Sequence, residues 1–404
     1  MNILIINHYA GNRILGMVYR HYYLAKEWVK SGNNVMIVGG SFSHLRRQQP
    51  TANIETIDGI EFRWIPVSAY KGSGFGRVKA MFEFVSKLWL NYKKYLGSFT
   101  PDVVISSSTY NLEIFPAKRI AKHYGAKLIY EVRDIWPLTP MELGGYSKYH
   151  PFIMLLQAAE DYCYRNADKV VSLLPNAIDH MVERGMEPSK FVYIPNGFDP
   201  EEWTNESMRT DHDIILKKLK EQDKFLIGYT GGHAISNAID DLIDAMIYLK
   251  GTQIVAVLVG KGIEKERLIK RVKENDLENN VVFLPPVSKP QIPGIMKYFD
   301  AVVIMGRRRS LYRFGTSPNK IFDYMVGAKP IVMSIVEPEP IPMKADCALF
   351  YQHDDPYDFA NKLIEISNLT ESERKNIGQR GLKYVVTNHA YPILAKQFID
   401  ILQK

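Results

Sequence analysis

Cysteine is nearly absent from this sequence. Cys163 and Cys347 are the only two among 404 residues. Two thiols at this spacing provide neither a disulfide framework nor the paired pattern of a metal site. We expect both to be reduced thiols packed in the core, as free cysteines of intracellular proteins usually are. The sequence therefore predicts neither a disulfide nor a metal site.

Long apolar runs are absent too, since no segment reaches the ~18 uninterrupted apolar residues that a membrane span requires. The first apolar run, residues 3–6, is preceded by no basic segment and followed by no small-residue cleavage site. It is therefore predicted to be a buried strand rather than part of a signal peptide. Together these absences predict a cytoplasmic protein.

The glycine spacing of a dinucleotide-binding loop is also missing. The loop after the first apolar run carries Gly11 and Gly16, which do not form the pattern G-x-G-x-x-G. This spacing argues against a dehydrogenase. No repeat of about 20–50 residues is visible, so a repeat architecture is not predicted.

The charge balance is mildly basic, with 51 lysines and arginines against 44 acids and a net charge of +7. Such a charge would suit nucleic acid, phosphorylated metabolites or an acidic membrane surface, and it selects none of them. This net charge is the only feature that favours nucleic-acid binding, so we predict no nucleic-acid partner.

Apolar runs of strand length alternate with helical patterns through most of the chain. Near-continuous apolar runs separated by helices are typical of parallel strands covered on both faces. The first series comprises residues 3–6, 35–39, 102–106, 127–132, 169–174 and 191–194. The second comprises residues 225–230, 254–260, 281–284, 301–305 and 330–333. Two such series predict an α/β protein with two doubly wound Rossmann-like domains.

The two predicted domains comprise residues 1–200 and 201–390, with the boundary in the turn-rich and polar stretch 195–224. The last amphipathic helix, 391–404, has no strand after it and could cross back onto the first domain.

One segment of the first domain departs from the parallel pattern. Asp58 and Gly59 lie between two alternating runs within residues 53–67, which is a hairpin signal. We interpret this segment as an antiparallel insertion in the first domain.

Loops that follow strands are the places to search for a site, because ligands of such sheets bind at the carboxyl ends of the strands. In the first domain, the glycines of the first loop favour an anion or sugar site that includes Gly16 over a plain turn. Arg133, Asp134 and Trp136 follow the strand at 127–132 directly. The charged pair is either a local ion pair or a polar wall of the cleft. We favour the second, because loops at strand ends often carry function.

Three loops after strands of the second domain are rich in glycine and cationic groups. A diphosphate requires several N–H donors and one or two cations, and helix N-termini supply such donors. The run Arg307, Arg308 and Arg309 is interpreted mainly as solvated charge. The candidate donor-site residues are Gly232 and His233 in the first loop, Lys261 in the second, and Gly315, Thr316, Ser317, Asn319 and Lys320 in the third.

Four segments of the chain carry a family resemblance. They are "GMVYRHYYLAKEWVKSGNNVMIV" (16–38), "YEVRDIWPLTP" (130–140), "FVYIPNGFD" (191–199) and "GTSPNKIFDYMVGAKPIV" (315–332). With these segments the chain resembles GT-B glycosyltransferases of the large retaining family 4. More narrowly, it resembles the bacterial L-fucosamine-transferase-like enzymes that build O-antigen, capsule and related surface polysaccharides.

The resemblance implies two domains that face a central cleft, with the nucleotide in the C-terminal domain and the acceptor in the N-terminal one. It implies transfer of a sugar from a nucleotide-sugar donor, most often UDP-linked, with retention of configuration and without a metal or other cofactor. The family usually carries two acids eight residues apart in the segment 315–332. Asp323 stands at the second, which binds the ribose hydroxyls. Gly315 stands at the first, so this sequence departs from the pattern there.

Retention without an evident nucleophile suggests a same-face attack, in which the leaving diphosphate accepts the proton of the acceptor. We expect Asp134 and Arg133 to border the acceptor hydroxyl. The groups expected to stabilise the leaving diphosphate are Lys320, Lys261, His233 and the N–H groups of Gly232, Thr316 and Ser317.

The acceptor is expected to be a glycan, and to be lipid-linked, and the segment 75–97 bears on this point. It mixes aromatic residues with basic ones, as helices at anionic membrane surfaces do. A helix packed on its own core with extended lysines explains the same pattern equally well. The basic loop 43–50 favours slightly a peripheral contact with the inner face of the plasma membrane. The predicted acceptor and membrane residues are Trp136, Arg46, Arg47, Lys87, Lys93 and Lys94.

Two other classes remain as alternatives. A sugar-nucleotide 2-epimerase shares the two-domain architecture, but the "R-D-x-W-P" loop and the basic aromatic helix argue against it. A two-lobed binding protein would usually be exported, and no signal peptide is recognised.

Overall fold

The structure is a computed structural model, and it describes residues 1–16, 19–72, 74–107, 109–204, 210–307 and 309–403. Some residues that the sequence predictions include lie outside this described part: Met17 and Val18, residues 205–209, Arg308 and Lys404.

The first of two compact units comprises Met1–Pro195 together with Tyr391–Lys404, and it contains an eight-stranded sheet. Its strands are β1 Asn2–Ile6, β2 Asn34–Gly40, β3 Ile54–Ile57, β4 Ile60–Ile65, β5 Val103–Ser106, β6 Lys127–Val132, β7 Lys169–Ser172 and β8 Phe191–Tyr193. Across the sheet their order is β3-β4-β2-β1-β5-β6-β7-β8. The first six helices are α1 Arg20–Lys30, α2 Phe75–Leu96, α3 Ile114–Tyr124, α4 Leu138–Gly144, α5 Pro151–Asn166 and α6 Ile178–Glu183.

The segment 53–67 is only in part the antiparallel insertion that its sequence predicts. β3 and β4 form an antiparallel hairpin, with Ile57 opposite Ile60. β4 also pairs in parallel with β2, and its alternate side chains Phe62 and Trp64 are buried in the core of the unit. The prediction of a wholly antiparallel insertion is therefore wrong, and only the edge strand β3 is antiparallel.

The second unit, Asn196–Ala390, contains a six-stranded sheet in which every neighbouring pair is parallel. Its strands are β9 Phe225–Thr230, β10 Ile254–Val259, β11 Val281–Leu284, β12 Ala301–Ile304, β13 Ile331–Ser334 and β14 Ala348–Tyr351. Their order is β11-β10-β9-β12-β13-β14. Its helices are α7 Glu201–Thr204, α8 Asp213–Glu221, α9 Ile239–Tyr248, α10 Lys265–Glu274, α11 Ile292–Met296, α12 Asn319–Val326, α13 Ile341–Lys344, α14 Pro356–Asn368 and α15 Glu371–Asn388.

Buried apolar runs account for the central strands of both sheets. The residues of β10 are all buried, and Ile3 to Ile6 of β1 expose none of their surface. Burying one such aliphatic side chain contributes about 1.5–3 kcal/mol, so these strands are stable only between two layers of helices. The predicted α/β class with two doubly wound Rossmann-like domains is confirmed.

One strand of the second sheet was not predicted from the sequence. β14 is an edge strand of four residues that pairs in parallel with β13, with Ile331 opposite Ala348. Only Tyr351 of its four residues is fully buried. Its four residues are all apolar, but a run this short does not distinguish a strand from a turn of helix.

The last helix, α16 Tyr391–Gln403, belongs to the first unit and packs on α1. The indole Nε1 of Trp28 donates a hydrogen bond of 3.0 Å to the carbonyl oxygen of Ala395. The rings of Trp28 and Phe398 lie edge to face, with their centroids 5.3 Å apart. α16 thus packs into the same hydrophobic core as α1 and β1.

Two absences from the sequence have a structural counterpart. In the described part of the chain, no helix is both long and apolar enough to cross a bilayer. Both cysteines are free and buried.

Candidate active site

The loops after β9 and β10 contact each other through their backbones. A Cβ atom on Gly260 would lie 1.9 Å from the carbonyl oxygen of Gly231, and one on Gly262 would lie 2.0 Å from that of His233. No side chain fits at such distances, so packing requires both glycines. The N–H of His233 donates to the carbonyl oxygen of Lys261 at 2.8 Å. Backbone packing therefore accounts for the two glycines at positions 260 and 262, which flank Lys261 in the second glycine-rich loop.

Lys320 is the cation that the structure holds at this edge of the second sheet. It lies in the first turn of α12, and its Nζ donates to the hydroxyl of Tyr229 at 3.0 Å and to Asn237 Oδ1 at 2.8 Å. The same Nζ lies 4.4 Å from the centroid of the Tyr229 ring, a cation–π contact. Burial lowers the pKa of Lys320 to about 8. Within the described residues, no carboxylate forms an ion pair with it.

Bare backbone lies beside this lysine. Tyr229 Oη and Asn237 Nδ2 each donate to the carbonyl oxygen of Gly232 at 2.9 Å, which orients the loop after β9. The N–H of Gly232 makes no hydrogen bond within the described residues. A lysine and a free N–H group on one sheet edge are suited to bind an anion.

His233 occupies the place the sequence predicts, but it does not add the expected charge. Its side chain is fully buried, and neither ring nitrogen has a partner within the described residues. Burial, with the charges of Lys265 and Lys320, lowers the pKa of His233 to about 4. The imidazole is therefore neutral at pH 7, and the expectation of a cationic His233 is wrong.

Gly315 has a backbone conformation that explains why no acid stands there. Its φ is +89°, in the region that favours glycine, and its N–H donates to Tyr312 O at 3.0 Å. A residue with a side chain would be strained in this conformation. An acid at position 315 would therefore carry a conformational cost that glycine does not.

The two hydroxyl residues after Gly315 have partners within the protein. Thr316 Oγ1 donates to Glu337 Oε1 at 2.8 Å. Ser317 Oγ accepts from the N–H of Asn196 at 2.9 Å. The expected role of the Thr316 and Ser317 N–H groups toward a diphosphate stays a prediction. Asn319 is exposed at the start of α12.

Asp323, the predicted ribose ligand, forms an ion pair. Lys289 Nζ lies 2.5 Å from Asp323 Oδ1, and both side chains are largely buried. Lys289 begins a short 3-10 turn after β11, and no spacing in the sequence pointed to it. A ribose at this carboxylate would have to share it with the lysine. Lys261, the other predicted cation, is exposed.

Glu337 is the acid that the sequence interpretation missed. It lies in the loop after β13, is only 5% exposed, and has Thr316 as its hydrogen-bond partner. Burial raises the pKa of Glu337 to about 6, although the hydrogen bonds from Thr316 and the charge of Lys344 oppose this. Glu337 is one of two glutamates in "VEPEPIP" (336–342), and no spacing signal would have identified it.

In the first unit, Glu131 is a buried acid near the end of β6. It accepts hydrogen bonds from Arg20 Nε at 3.0 Å, His21 Nε2 at 2.8 Å and Ser107 Oγ at 2.6 Å. Burial would raise the pKa of Glu131, but Arg20 and His21 outweigh it and lower that pKa. The first acid of "E-x-R-D-x-W-P" thus anchors β6 to α1.

Arg133 and Asp134 follow this anchor at the carboxyl end of β6. Asp134 is exposed and Arg133 is partly exposed, and no ion pair between them is found in the described part of the chain. Their charges nevertheless act on each other's pKa, so both alternatives, a local pair of charges and a polar wall, remain open. The ring of Trp136 lies 5.9 Å from the Arg77 guanidinium, whose Nε donates to Tyr9 Oη at 3.1 Å. Arg77 and Tyr9 were not among the predicted site residues.

Gly16 and the basic loop 43–50 contact each other. Gly16 has a φ of +75°, and a Cβ atom there would lie 3.1 Å from Arg47 Cγ. Arg46 is buried: its Nε donates to Ala10 O at 2.7 Å, and its Nη1 donates to Gly40 O at 2.8 Å. The prediction that Arg46 contacts a membrane is therefore wrong, because its side chain ties two loops together. Arg47 is exposed.

α2 has two different faces. The face toward the core carries the buried residues Ala80, Met81, Phe84, Leu88, Tyr92 and Leu96. On the other face, Phe82 and Trp89 are exposed and line an open apolar depression of about 360 Å³. Lys93 and Lys94 are exposed in the last turn, whereas Lys87 Nζ donates to Pro66 O at 2.8 Å. The inner face thus fits the interpretation of a helix packed on its own core, and a membrane contact of the outer face stays a prediction.

Two family models match the chain in sequence. Residues 16–197 match the model described as "Glycosyl transferase 4-like domain", and residues 211–384 match "Glycosyl transferases group 1". WcaI of Escherichia coli (strain K12), whose name assigns it to colanic acid biosynthesis as a glycosyl transferase, is 24% identical over 198 residues. That match covers 47% of this chain and 47% of the relative, so the chain spans about half the length of the curated relative it matches.

Solved structures of the same fold cover the whole chain. Sucrose-phosphate synthase from Thermosynechococcus elongatus is 15% identical, with a TM-score of 0.74 over 100% of this chain and 98% of that one. WaaG, a glycosyltransferase involved in lipopolysaccharide biosynthesis, is 13% identical, with a TM-score of 0.69 over 100% and 99%. Anabaena Alr3699/HepE in complex with UDP-glucose is 17% identical, with a TM-score of 0.69 over 100% and 99%. At these identities the likeness concerns the fold.

Proposed function

Because this chain belongs to the GT-B glycosyltransferases of family 4, we propose that it transfers a sugar from a nucleotide-sugar donor to a glycan acceptor. The names of WcaI and WaaG favour a role in the biosynthesis of a surface polysaccharide. The matched families and relatives give the epimerase alternative no support, and it is not retained.

The observation that carries this proposal is Lys320, a half-buried cation of the second unit. Lys320 Nζ uses two of its three hydrogens on Tyr229 and Asn237, and it has no carboxylate partner within the described residues. A lysine held out of water without a counter-charge has a lowered pKa, and an anion beside it would reverse that effect. The free N–H of Gly232 lies in the neighbouring loop. A diphosphate would satisfy both groups.

We propose a UDP-linked donor, which the complexes of Alr3699/HepE with UDP and UDP-glucose support by analogy of fold. The proposed reaction retains configuration at the transferred carbon. The acceptor hydroxyl attacks that carbon on the face from which the diphosphate departs, the bond to the diphosphate oxygen breaks, and a diphosphate oxygen takes the hydroxyl proton. Lys320 and free N–H groups would stabilise the departing charge, so the proposal requires no metal.

The acceptor is proposed to bind in the first unit. Asp134 and Arg133 lie at the carboxyl end of β6, and the Trp136 ring offers a stacking surface beside Arg77. The exposed aromatic and basic face of α2 supports a lipid-linked acceptor and a peripheral contact with an anionic membrane.

The experiment that tests the proposal begins with a donor screen by thermal shift across UDP-, GDP- and dTDP-sugars. With the selected donor, Lys320→Ala is expected to lower kcat/KM about 10²- to 10³-fold, the effect of removing one donor to a developing anion. Lys273→Ala, which removes an exposed lysine of α10, is the control and should leave kcat/KM unchanged. Equal activity of the two variants would show that Lys320 does not stabilise the leaving group.

A further inference from the structure

Glu337 is a buried acid for which the mechanism above has no use. Its side chain is only 5% exposed, and within the described residues no lysine, arginine or histidine lies within ion-pair distance of it. Lys344 is the basic group whose charge it senses, and Lys344 Nζ lies 3.5 Å from Glu339. Keeping a carboxylate out of water without a cation is costly, so a structural role alone does not explain it.

The position of Glu337 places it beside the predicted donor site. It follows β13 by three residues, at the carboxyl end of the sheet, where ligands of such folds bind. The hydroxyl of Thr316 donates a hydrogen bond to it, and Thr316 lies three residues before the start of α12. Lys320, the proposed diphosphate ligand, lies in the first turn of that same helix.

The chemistry of a carboxylate limits the kinds of ligand that Glu337 could bind. A carboxylate accepts hydrogen bonds and repels phosphate, so its ligand beside a diphosphate site has to be a neutral donor of hydrogen bonds. The hydroxyl groups of a sugar are such donors. The segment that leads into α12 supplies no acid of its own, because Gly315 requires a positive φ there.

We propose that Glu337 accepts a hydrogen bond from a hydroxyl of the transferred sugar, and that Thr316 fixes the carboxylate in position for it. This inference rests on the proposed function, because it requires a nucleotide-sugar donor in the second unit. It assigns Glu337 to the sugar part of the donor and Lys320 to the diphosphate part.

The test compares the affinity for the nucleotide sugar selected in the donor screen with the affinity for its nucleoside diphosphate, both measured by calorimetry. Glu337→Gln keeps an oxygen for Thr316 but removes the charge. It is expected to weaken binding of the nucleotide sugar about 10-fold or more and to leave binding of the nucleoside diphosphate unchanged. Glu339→Gln, at an exposed acid two residues further on, should change neither affinity.

Thr316 provides a second pair of variants. Thr316→Val removes the hydroxyl that holds the carboxylate, so it should cause the same selective loss of sugar affinity, whereas Thr316→Ser retains the hydroxyl and should behave as the wild type. An unchanged melting temperature of each variant shows that it is folded.

The outcomes separate the inference from the proposed function. If the wild-type chain binds a nucleotide sugar and Glu337→Gln lowers both affinities equally, or neither, Glu337 does not contact the sugar and the inference fails while the proposed function stands. If the wild-type chain binds no nucleotide sugar, the proposed function fails and the inference falls with it.

Discussion

Lys320, His233 and Glu337 are three titratable side chains that burial affects in different ways. The amine of Lys320 keeps its proton at pH 7 because its pKa is lowered only to about 8. The imidazole of His233 loses its proton well below pH 7, because its pKa is lowered to about 4. The carboxyl of Glu337, with a pKa of about 6, is mainly ionised at pH 7. One cation, one neutral ring and one anion thus result from a similar loss of water.

The raised pKa of Glu337 makes the affinity for a nucleotide sugar depend on pH. As the pH falls through about 6, Glu337 takes up a proton and can no longer accept a charge-assisted hydrogen bond, so affinity should fall. Calorimetry of the wild type and of Glu337→Gln between pH 5 and pH 8 measures this. The difference in affinity between the two proteins is expected to be large at pH 8 and to vanish toward pH 5.

The choice of ligand matters for this pH series. A nucleoside diphosphate has a terminal phosphate that titrates near pH 6 by itself, whereas the diphosphate of a nucleotide sugar is esterified at both ends. The nucleotide sugar therefore reports on the protein. The groups that influence the pKa of Glu337 are Thr316, which carries no charge, and the positively charged Lys344. A constant difference across the range would contradict the assignment of Glu337.

At the scale of elements, the sequence predicted the positions of most strands better than their pairing. β6, β9 and β11 have the bounds that their apolar runs predict. β14 was missed, because an apolar run of only four residues does not distinguish a strand from a turn of helix. The pairing of β4 was misjudged, because the hairpin signal at Asp58 and Gly59 concerns only its partner β3 and says nothing of its second neighbour β2.

The candidate site shows the same limit. Lys320 was found because it stands in a segment whose glycine, hydroxyl residues and proline mark the start of a helix. Glu337, Lys289 and Arg77 were missed, because each acts through a partner distant in sequence. A spacing rule detects residues that one element brings together. Residues that meet only when separate loops converge require the folded chain.

α2 is the element on which the proposed membrane contact depends. Its exposed face combines Phe82 and Trp89 with Lys93 and Lys94, and Arg119 of α3 lies 4.8 Å from the centroid of the Trp89 ring. Such a face would place aromatic rings at the headgroups and lysines against anionic lipid.

Charge reversal tests this contact. Lys93→Glu with Lys94→Glu should reduce flotation with vesicles that contain phosphatidylserine, because each lysine contributes about 1 kcal/mol near such a surface. Two lost and two opposed charges would then lower the partition constant by more than about 10-fold. The matched control reverses Lys217 and Lys218, an exposed adjacent pair on α8. If wild-type and reversed proteins float equally, the lysines of α2 make no contribution to membrane binding.

At the scale of the whole molecule, the chain passes between the two units twice, at Pro195–Asn196 and at Ala390–Tyr391. The two passages are tied to each other within the second unit, where the N–H of Phe198 donates to the carbonyl oxygen of His389 at 3.1 Å. In the first unit, Arg20 Nη2 donates to Ile194 O at 2.9 Å, just before the first passage. α16 thus begins directly after a segment that is hydrogen-bonded, within the second unit, to the residues that follow the first passage.

The first unit should therefore depend for its stability on α16, which the whole second unit separates in sequence from the rest of the first. Phe398 is fully buried against Trp28, so Phe398→Ala should lower the free energy of unfolding of this unit by about 3–5 kcal/mol. Four of the five tryptophans, at positions 28, 64, 89 and 136, lie in the first unit, so tryptophan fluorescence during urea unfolding reports mainly on it. Lys396→Ala, at an exposed position of α16, is the control. Because nucleotide binding is assigned to the second unit, Phe398→Ala should leave nucleotide affinity unchanged in the absence of urea, and a large loss of that affinity would contradict the division of labour between the units.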